Sequence, residues 1–211
     1  MEISVYPDLS VKVVAPQERT LDEIKDKIRK RSSWILEQKY FFSLFLPKQP
    51  PRSYVSGETH TYLGRQCRLK VVESNKERVE FHRGILTVYA MDRKDSSKVK
   101  SLLETWYRER ALSKLQERIK LCCGKVRKYG IEEPVYRIQR MAKRWGSCSK
   151  NKRLLLNTLL VKAPSHCMDY VIIHELCHLK YFNHSKEFYE LLNRIMPDWE
   201  ARKKRLEQVI L

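Results

Sequence analysis

The chain has 211 residues, 42% of them hydrophobic, with only six glycines and a formal net charge of +18. Length and hydrophobic content exclude a disordered chain and fit one substantial core, or a catalytic domain with a smaller appendage. No run approaches the roughly 18 apolar residues of a membrane span. The six cysteines form no CxxC pair, and the start, Met1-Glu2-Ile3-Ser4-Val5, has no basic-then-apolar signal segment, so a reducing cytoplasm is the expected location.

In chain order, Ile3–Tyr6 and Val11–Val14 alternate around Pro7-Asp8 and predict a short hairpin. Thr20 with Glu23 makes a capping box that opens a helix carrying Ile24 and Ile28 and running towards Trp34 and Ile35. Pro47, Pro50 and Pro51 mark a break. Residues 52–90 read as a β-meander, with strands at Thr59–Leu63, Arg65–Val72, Arg78–Phe81 and Ile85–Tyr89 and turns at Gly64, Asn75 and Gly84. Ser96 or Ser97 can cap a long helix through about Cys122, with Leu102, Leu103, Trp106, Leu112, Leu115 and Ile119 inward and Gly124 and Gly130 ending it. Val135–Met141 and Arg153–Val161 read as strands joined by the Gly/Ser-rich connection Trp145–Ser149.

A further helix begins after Pro164, with Ser165 as N-cap and Met168, Val171, Ile172, Leu176 and Leu179 as its apolar stripe. The same helix carries His174-Glu175-Leu176-Cys177-His178, an HExxH motif whose histidines and Glu175 lie off that stripe, followed by His184. On a helix, His174 and His178 lie one turn apart on one face, about 6 Å along the axis, and both imidazoles can reach one zinc ion. Glu175 lies beside the metal without ligating it, placed to take a proton from a zinc-bound water. This is the arrangement of a zinc hydrolase, most often a peptidase. His60, His82 and His166 are isolated and read as structural or solvated. Cys177 has apolar neighbours and reads as core packing.

A continued helix would carry His184 to another face. The chain is therefore expected to leave the helix between about Leu179 and Asn183, with Asn183 suited to a left-handed exit. Glu187 and Glu190 are the other candidates for third ligand. Beyond the motif, Phe188, Leu191, Leu192 and Ile195 make one helix that Met196-Pro197 stops. Asp198 can cap a last helix carrying Trp199, Leu206, Val209 and Ile210.

From Pro134 to Met168 there are eight Lys or Arg and no acid. Arg137, Arg140, Lys143, Lys150, Lys152 and Arg153 are the candidates for nucleic-acid or phosphate contact, with aromatic residues interleaved. The alternative is a solvated basic face. No helix-turn-helix, zinc-finger or RNP sequence accompanies them.

Three blocks resemble the YgjP-like metallopeptidase family, related to the SprT-like and WLM zincins. They are Lys143-Arg144-Trp145-Gly146-Ser147-Cys148-Ser149, Leu154–Leu160 with Asn157, and Asp169–His178 leading to Asn183-His184-Ser185. The end block Met196-Pro197-Asp198-Trp199 fits as well. The resemblance implies an α+β fold: a minimal zincin-like catalytic domain with a small antiparallel sheet and an active-site helix, preceded by N-terminal strands and helices. It implies His174, His178 and His184 as ligands of one zinc per chain and Glu175 as catalytic base. It also implies that the Arg144–Ser149 stretch, with Trp145 and Ser147, lies near the cleft.

The expected division is an N-terminal region over 1–95 and a catalytic region over 96–211, which can form one continuous domain. The expected reaction is amide hydrolysis of a peptide or protein, with Arg144, Tyr181 or Tyr170 stabilising the oxyanion. An extended peptide can add to a sheet edge near 137–141 or 153–160. Two alternatives accompany it: a metal-dependent UTP pyrophosphatase, a label attached to family members, and a protease acting on DNA-bound proteins, by analogy with the SprT-like and WLM relatives.

Overall fold

The computed structural model describes residues 2–6, 9–43, 52–141, 144–149 and 151–210. They form two compact units, Met1–Pro51 and Arg52–Leu211. In the first, β1 (Glu2–Val5) and β2 (Val11–Val14) pair antiparallel, as their alternation predicts, while the Pro7-Asp8 turn lies outside the described residues. Two helices follow, α1 (Leu21–Lys30) and α2 (Ser32–Ser43). The capping box is present: Glu23 N donates to Thr20 Oγ1 at 3.4 Å and Thr20 N to Glu23 Oε2 at 3.1 Å. The Pro47, Pro50 and Pro51 break lies outside the described residues.

The second unit opens with β3 (Thr59–Tyr62), β4 (Arg65–Glu73), β5 (Arg78–His82) and β6 (Ile85–Ala90), in sheet order β3-β4-β6-β5. The strands fall where expected but do not form a simple meander, because β6 inserts between β4 and β5 and runs parallel to β4. Side-chain character explains the order. β6 buries Leu86, Val88 and Ala90 and takes an inner position, whereas β5 exposes Arg78, Glu80 and His82 and takes an edge. The two hairpins close on Leu63-Gly64 and Arg83-Gly84, each with both residues at positive φ, the two-residue turn that matches strand twist.

Helix α3 (Ser96–Val126) is capped by Asp95, one residue before the expected serines: its side chain accepts from Lys98 N at 2.9 Å. The helix runs past Gly124 to Val126, and a 3₁₀ turn (Arg127–Tyr129) then ends at Gly130, φ +75°. Val99, Leu103 and Trp106 of α3 pack on the four-stranded sheet through Leu69, Leu86 and Val88. Ala111, Leu115, Ile119 and Cys122 pack into the larger core. One helix thus serves both cores, so the 52–90 strands share a compact unit with the C-terminal part.

Three strands make the site sheet, β7 (Tyr136–Gln139), β8 (Gly146–Cys148) and β9 (Leu154–Asn157), in order β7-β9-β8. The α+β class holds. The sheet is antiparallel only between β8 and β9, because β7 runs parallel to β9. The Trp145–Ser149 stretch, expected as a connection, contributes the edge strand β8. A 3₁₀ turn (Thr158–Lys162) leads to α4 (Ser165–Cys177), followed by α5 (Lys186–Ile195) and α6 (Trp199–Ile210). Pro164, not Ser165, holds the cap position of α4, its fixed φ of −57° entering the helix. Ten of the thirteen α4 residues are buried, so this helix is central and not merely striped. Among the described residues no helix is long and apolar enough to cross a membrane.

Candidate active site

Helix α4 presents His174 and His178 one turn apart, and the chain turns back so that His184, just before α5, faces them. Ring centroids lie 5.0 Å apart for His174–His178, 5.0 Å for His174–His184 and 4.7 Å for His178–His184. Helix α4 ends at Cys177, earlier than expected. Its last turn tightens through Leu179 N to Leu176 O and Lys180 N to Cys177 O. The exit needs no left-handed residue: Asn183 is not among the residues with positive φ.

Fully buried Phe188 of α5 packs beneath the three imidazoles, its ring 5.0, 4.6 and 4.9 Å from those of His174, His178 and His184. Each histidine offers one nitrogen such that all three lie within 4.8 Å of one another. Nε2 of His174 and Nε2 of His184 stand 3.0 Å apart. Two nitrogens on one tetrahedral zinc, at about 2.0–2.1 Å each, lie about 3.3 Å apart, so the pair has metal-sharing geometry.

Nδ1 of His178 lies 3.0 Å from the carbonyl oxygen of Tyr181. A carbonyl only accepts, so Nδ1 is the donor, and the neutral ring in this tautomer offers Nε2 as the ligating nitrogen. Burial, reinforced by His178 and His184, pushes His174 down to about 3 and keeps it neutral, the ligating form. Three imidazoles that converge in this way are a donor set that fits a catalytic zinc. The other candidate ligands are engaged elsewhere: Glu187 accepts from Ser185 Oγ at 2.6 Å, and Glu190 pairs with Lys186 at 3.7 Å.

Glu175 is 7% exposed and lies outside the triad, beside β8. Burial pushes its carboxyl up to about 7, opposed by the Arg144 guanidinium and by the backbone N–H of Cys148. The adjoining cleft, about 250 Å³, is lined by Arg144, Trp145, Gly146, Tyr170, Val171, His174, Glu175, Lys203, Leu206 and Glu207.

Of the residues expected near the substrate, Arg144 and Trp145 line this cleft. Ser147 pairs in register with Leu155 and does not line it. Tyr181 contributes its carbonyl to His178 rather than its phenol to the cleft. Lys203 and Glu207 of α6 are unforeseen, because nothing local in a terminal helix signals a distant cleft.

Buried Asn157 holds the segment that carries Arg144. Its Nδ2 donates to the carbonyls of Met141 and Arg144, both at 2.8 Å, while its Oδ1 accepts from Leu159 N at 3.0 Å and caps the 3₁₀ turn. Asp169 fixes α4 from the other side. Arg118 of α3 donates to both its oxygens, with Nε to Oδ1 at 2.7 Å, and Arg202 of α6 lies 3.9 Å away.

Of the basic candidates, Arg137 and Arg140 border a separate cavity at β7, while Lys152 and Arg153 stand at the turn between β8 and β9. Lys143 and Lys150 lie outside the described residues.

No curated protein sequence matches the chain. Among solved structures it is similar to the metallopeptidase zymogen jannalysin of Methanocaldococcus jannaschii, at 23% identity and TM-score 0.40, over 46% of this chain and 97% of that one. It is also similar to the zymogen abylysin of Pyrococcus abyssi, at 22% identity and TM-score 0.40, over 44% and 92%. The profile of the family described as YgjP-like, metallopeptidase domain, matches residues 1–209. The match takes in the histidine triad, Glu175 and the strands and helices that carry them, and the chain belongs to the YgjP-like metallopeptidase family, an enzyme of the zinc metallopeptidase kind.

Proposed function

We propose that the protein hydrolyses amide bonds in a peptide or protein, with one zinc ion held by His174, His178 and His184 and with Glu175 as general base. The observation that carries this reading is three imidazole nitrogens within 4.8 Å of one another beside a buried carboxylate that is not one of them. Held there, zinc would supply Lewis-acid chemistry, acidifying a water towards about 7 and polarising the scissile carbonyl. Glu175 takes the proton of the attacking water and passes it to the leaving amine, a role that suits a carboxyl lifted to about 7.

Arg144 shares the cleft with Glu175 and is the favoured oxyanion partner, ahead of Tyr170; Tyr181 does not line the cleft. β9, within 153–160, is the central strand and offers no edge. The β8 edge, unpaired among the described residues, is the favoured track for an extended substrate, in place of the β7 edge near 137–141. A peptide added there would run past Gly146 towards Glu175.

The test is to offer an unstructured protein, with and without DNA, and separately UTP, in zinc and in magnesium. Protein cleavage that requires zinc and is lost in His184→Ala supports the reading. UTP hydrolysis with the same two dependences would instead assign phosphoanhydride chemistry to this triad. Cleavage that appears only with DNA would make the protein a DNA-dependent protease.

A further inference from the structure

β7 and β8 are the two edges of the site sheet, and Glu175 lies by β8. At the β7 edge, the 3₁₀ turn Thr158–Lys162, α3 and the strand β3 surround a cavity of about 640 Å³. Arg52, Arg108, Arg137, Arg140 and Lys162 line it against one carboxylate, Glu104, so five cations less one acid leave four positive charges. Among the described residues none of the five forms an ion pair.

Three details bear on what the cavity holds. Half-buried Lys162 sits with its ammonium 5.1 Å over the Tyr107 ring; burial, then Arg52 and Arg140, hold it below the usual lysine range. Arg52 is already aimed by a 2.7 Å hydrogen bond from Nη1 to Thr59 O. His60, 2% exposed, borders the same space, and its Nε2 has no hydrogen-bond partner among the described residues, with Glu58 Oε2 3.6 Å away. Like charges gathered in a partly enclosed hollow repel one another unless an anion compensates them.

We propose that this cavity binds a compact oligophosphate anion, with the guanidinium forks and Lys162 holding its oxygens and His60 closing its inner end. Guanidinium groups match phosphate oxygens two at a time. Several negative charges must fit into one hollow, which a short phosphate chain supplies. An acidic peptide spaces its carboxylates along about 3.3–3.6 Å of chain per residue and suits a groove instead.

The experiment is calorimetric titration of the full chain with inorganic tripolyphosphate. Arg108→Gln and Arg140→Gln alter exposed rim residues, and Lys70→Gln, on β4 outside the cavity, is the control for overall charge. Saturable binding at one site per chain is expected, weakening steeply with salt, with each rim variant at least about tenfold weaker and Lys70→Gln unchanged.

A single-stranded oligonucleotide forms the second arm. Competition with tripolyphosphate, sensitive to the same two arginines, identifies a nucleic-acid backbone as a source of the phosphates; no competition leaves the free anion as the ligand. Absence of saturable tripolyphosphate binding, or equal weakening by Lys70→Gln, overturns the assignment. The outcome is independent of whether the zinc site cleaves peptides.

Discussion

Gly146 on β8 lies directly against Glu175: a Cβ at position 146 would fall 2.8 Å from Glu175 Cγ and 2.9 Å from its Oε1. Such distances are shorter than real Cβ contacts, so glycine lets the edge strand approach the carboxylate. Gly146→Ala must displace either β8 or Glu175. Turnover is expected to fall about 100-fold while zinc content and thermal midpoint stay near those of the parent, because the triad lies beyond the clash. Measuring kcat beside metal content separates this from loss of the ion.

Asn157 holds the segment before β8 through two carbonyls. Asn157→Ala leaves both without their donor and is expected to cost about 1–3 kcal/mol in a denaturant titration. It should also lower kcat/KM, since Arg144 loses its tether. Unchanged kcat/KM in a protein that has lost stability would remove Asn157 from the support of the cleft.

Asp169 is 3% exposed and meets Arg118 and Arg202 from two other helices. Asp169→Ala takes the carboxylate from Arg118, while Arg202 keeps Asp198 at 2.9 Å, and should destabilise the fold by about 1.5–3 kcal/mol, read from the denaturant midpoint. A loss below about 1 kcal/mol would show that α3, α4 and α6 are held by their apolar contacts alone.

His60 sets a pH dependence of stability. Burial, then the charge of Arg52, holds its pKa down at about 4 against an ordinary 6.5. Above pH 6.5 both folded and unfolded chains carry it neutral, so it adds no slope. Below 6.5 the unfolded chain binds a proton that the folded chain resists, so stability falls as pH drops from 6.5 to about 4. His60→Phe should flatten that part of the curve, measured as unfolding midpoint against pH. An unchanged slope would assign the acid sensitivity to other groups.

The metal motif was readable because its information is local. Helical spacing alone sets His174 and His178 together, and the need to bring in His184 demands a break that occurs at His178. The capping box at Thr20 and the hairpin glycines were readable for the same reason: each signal spans only a few residues. β8 was not, since Gly-Ser-Cys has poor strand propensity and becomes a strand only through pairing with Leu154–Leu156. The parallel pairing of β4 with β6, the service of α3 to two cores, and the arrival of Lys203 and Glu207 at the cleft all depend on contacts distant in sequence. No periodicity carries them.

The measurement closest to the central claim compares the parent with Glu175→Gln on an unstructured protein substrate in the presence of zinc. Glutamine keeps the size of the side chain but cannot accept the water's proton. The account predicts about one zinc per chain in both proteins, the same thermal midpoint within a few degrees, and a fall in peptide cleavage of at least about 100-fold in the variant. Cleavage at the parental rate by a zinc-loaded Glu175→Gln protein would contradict it.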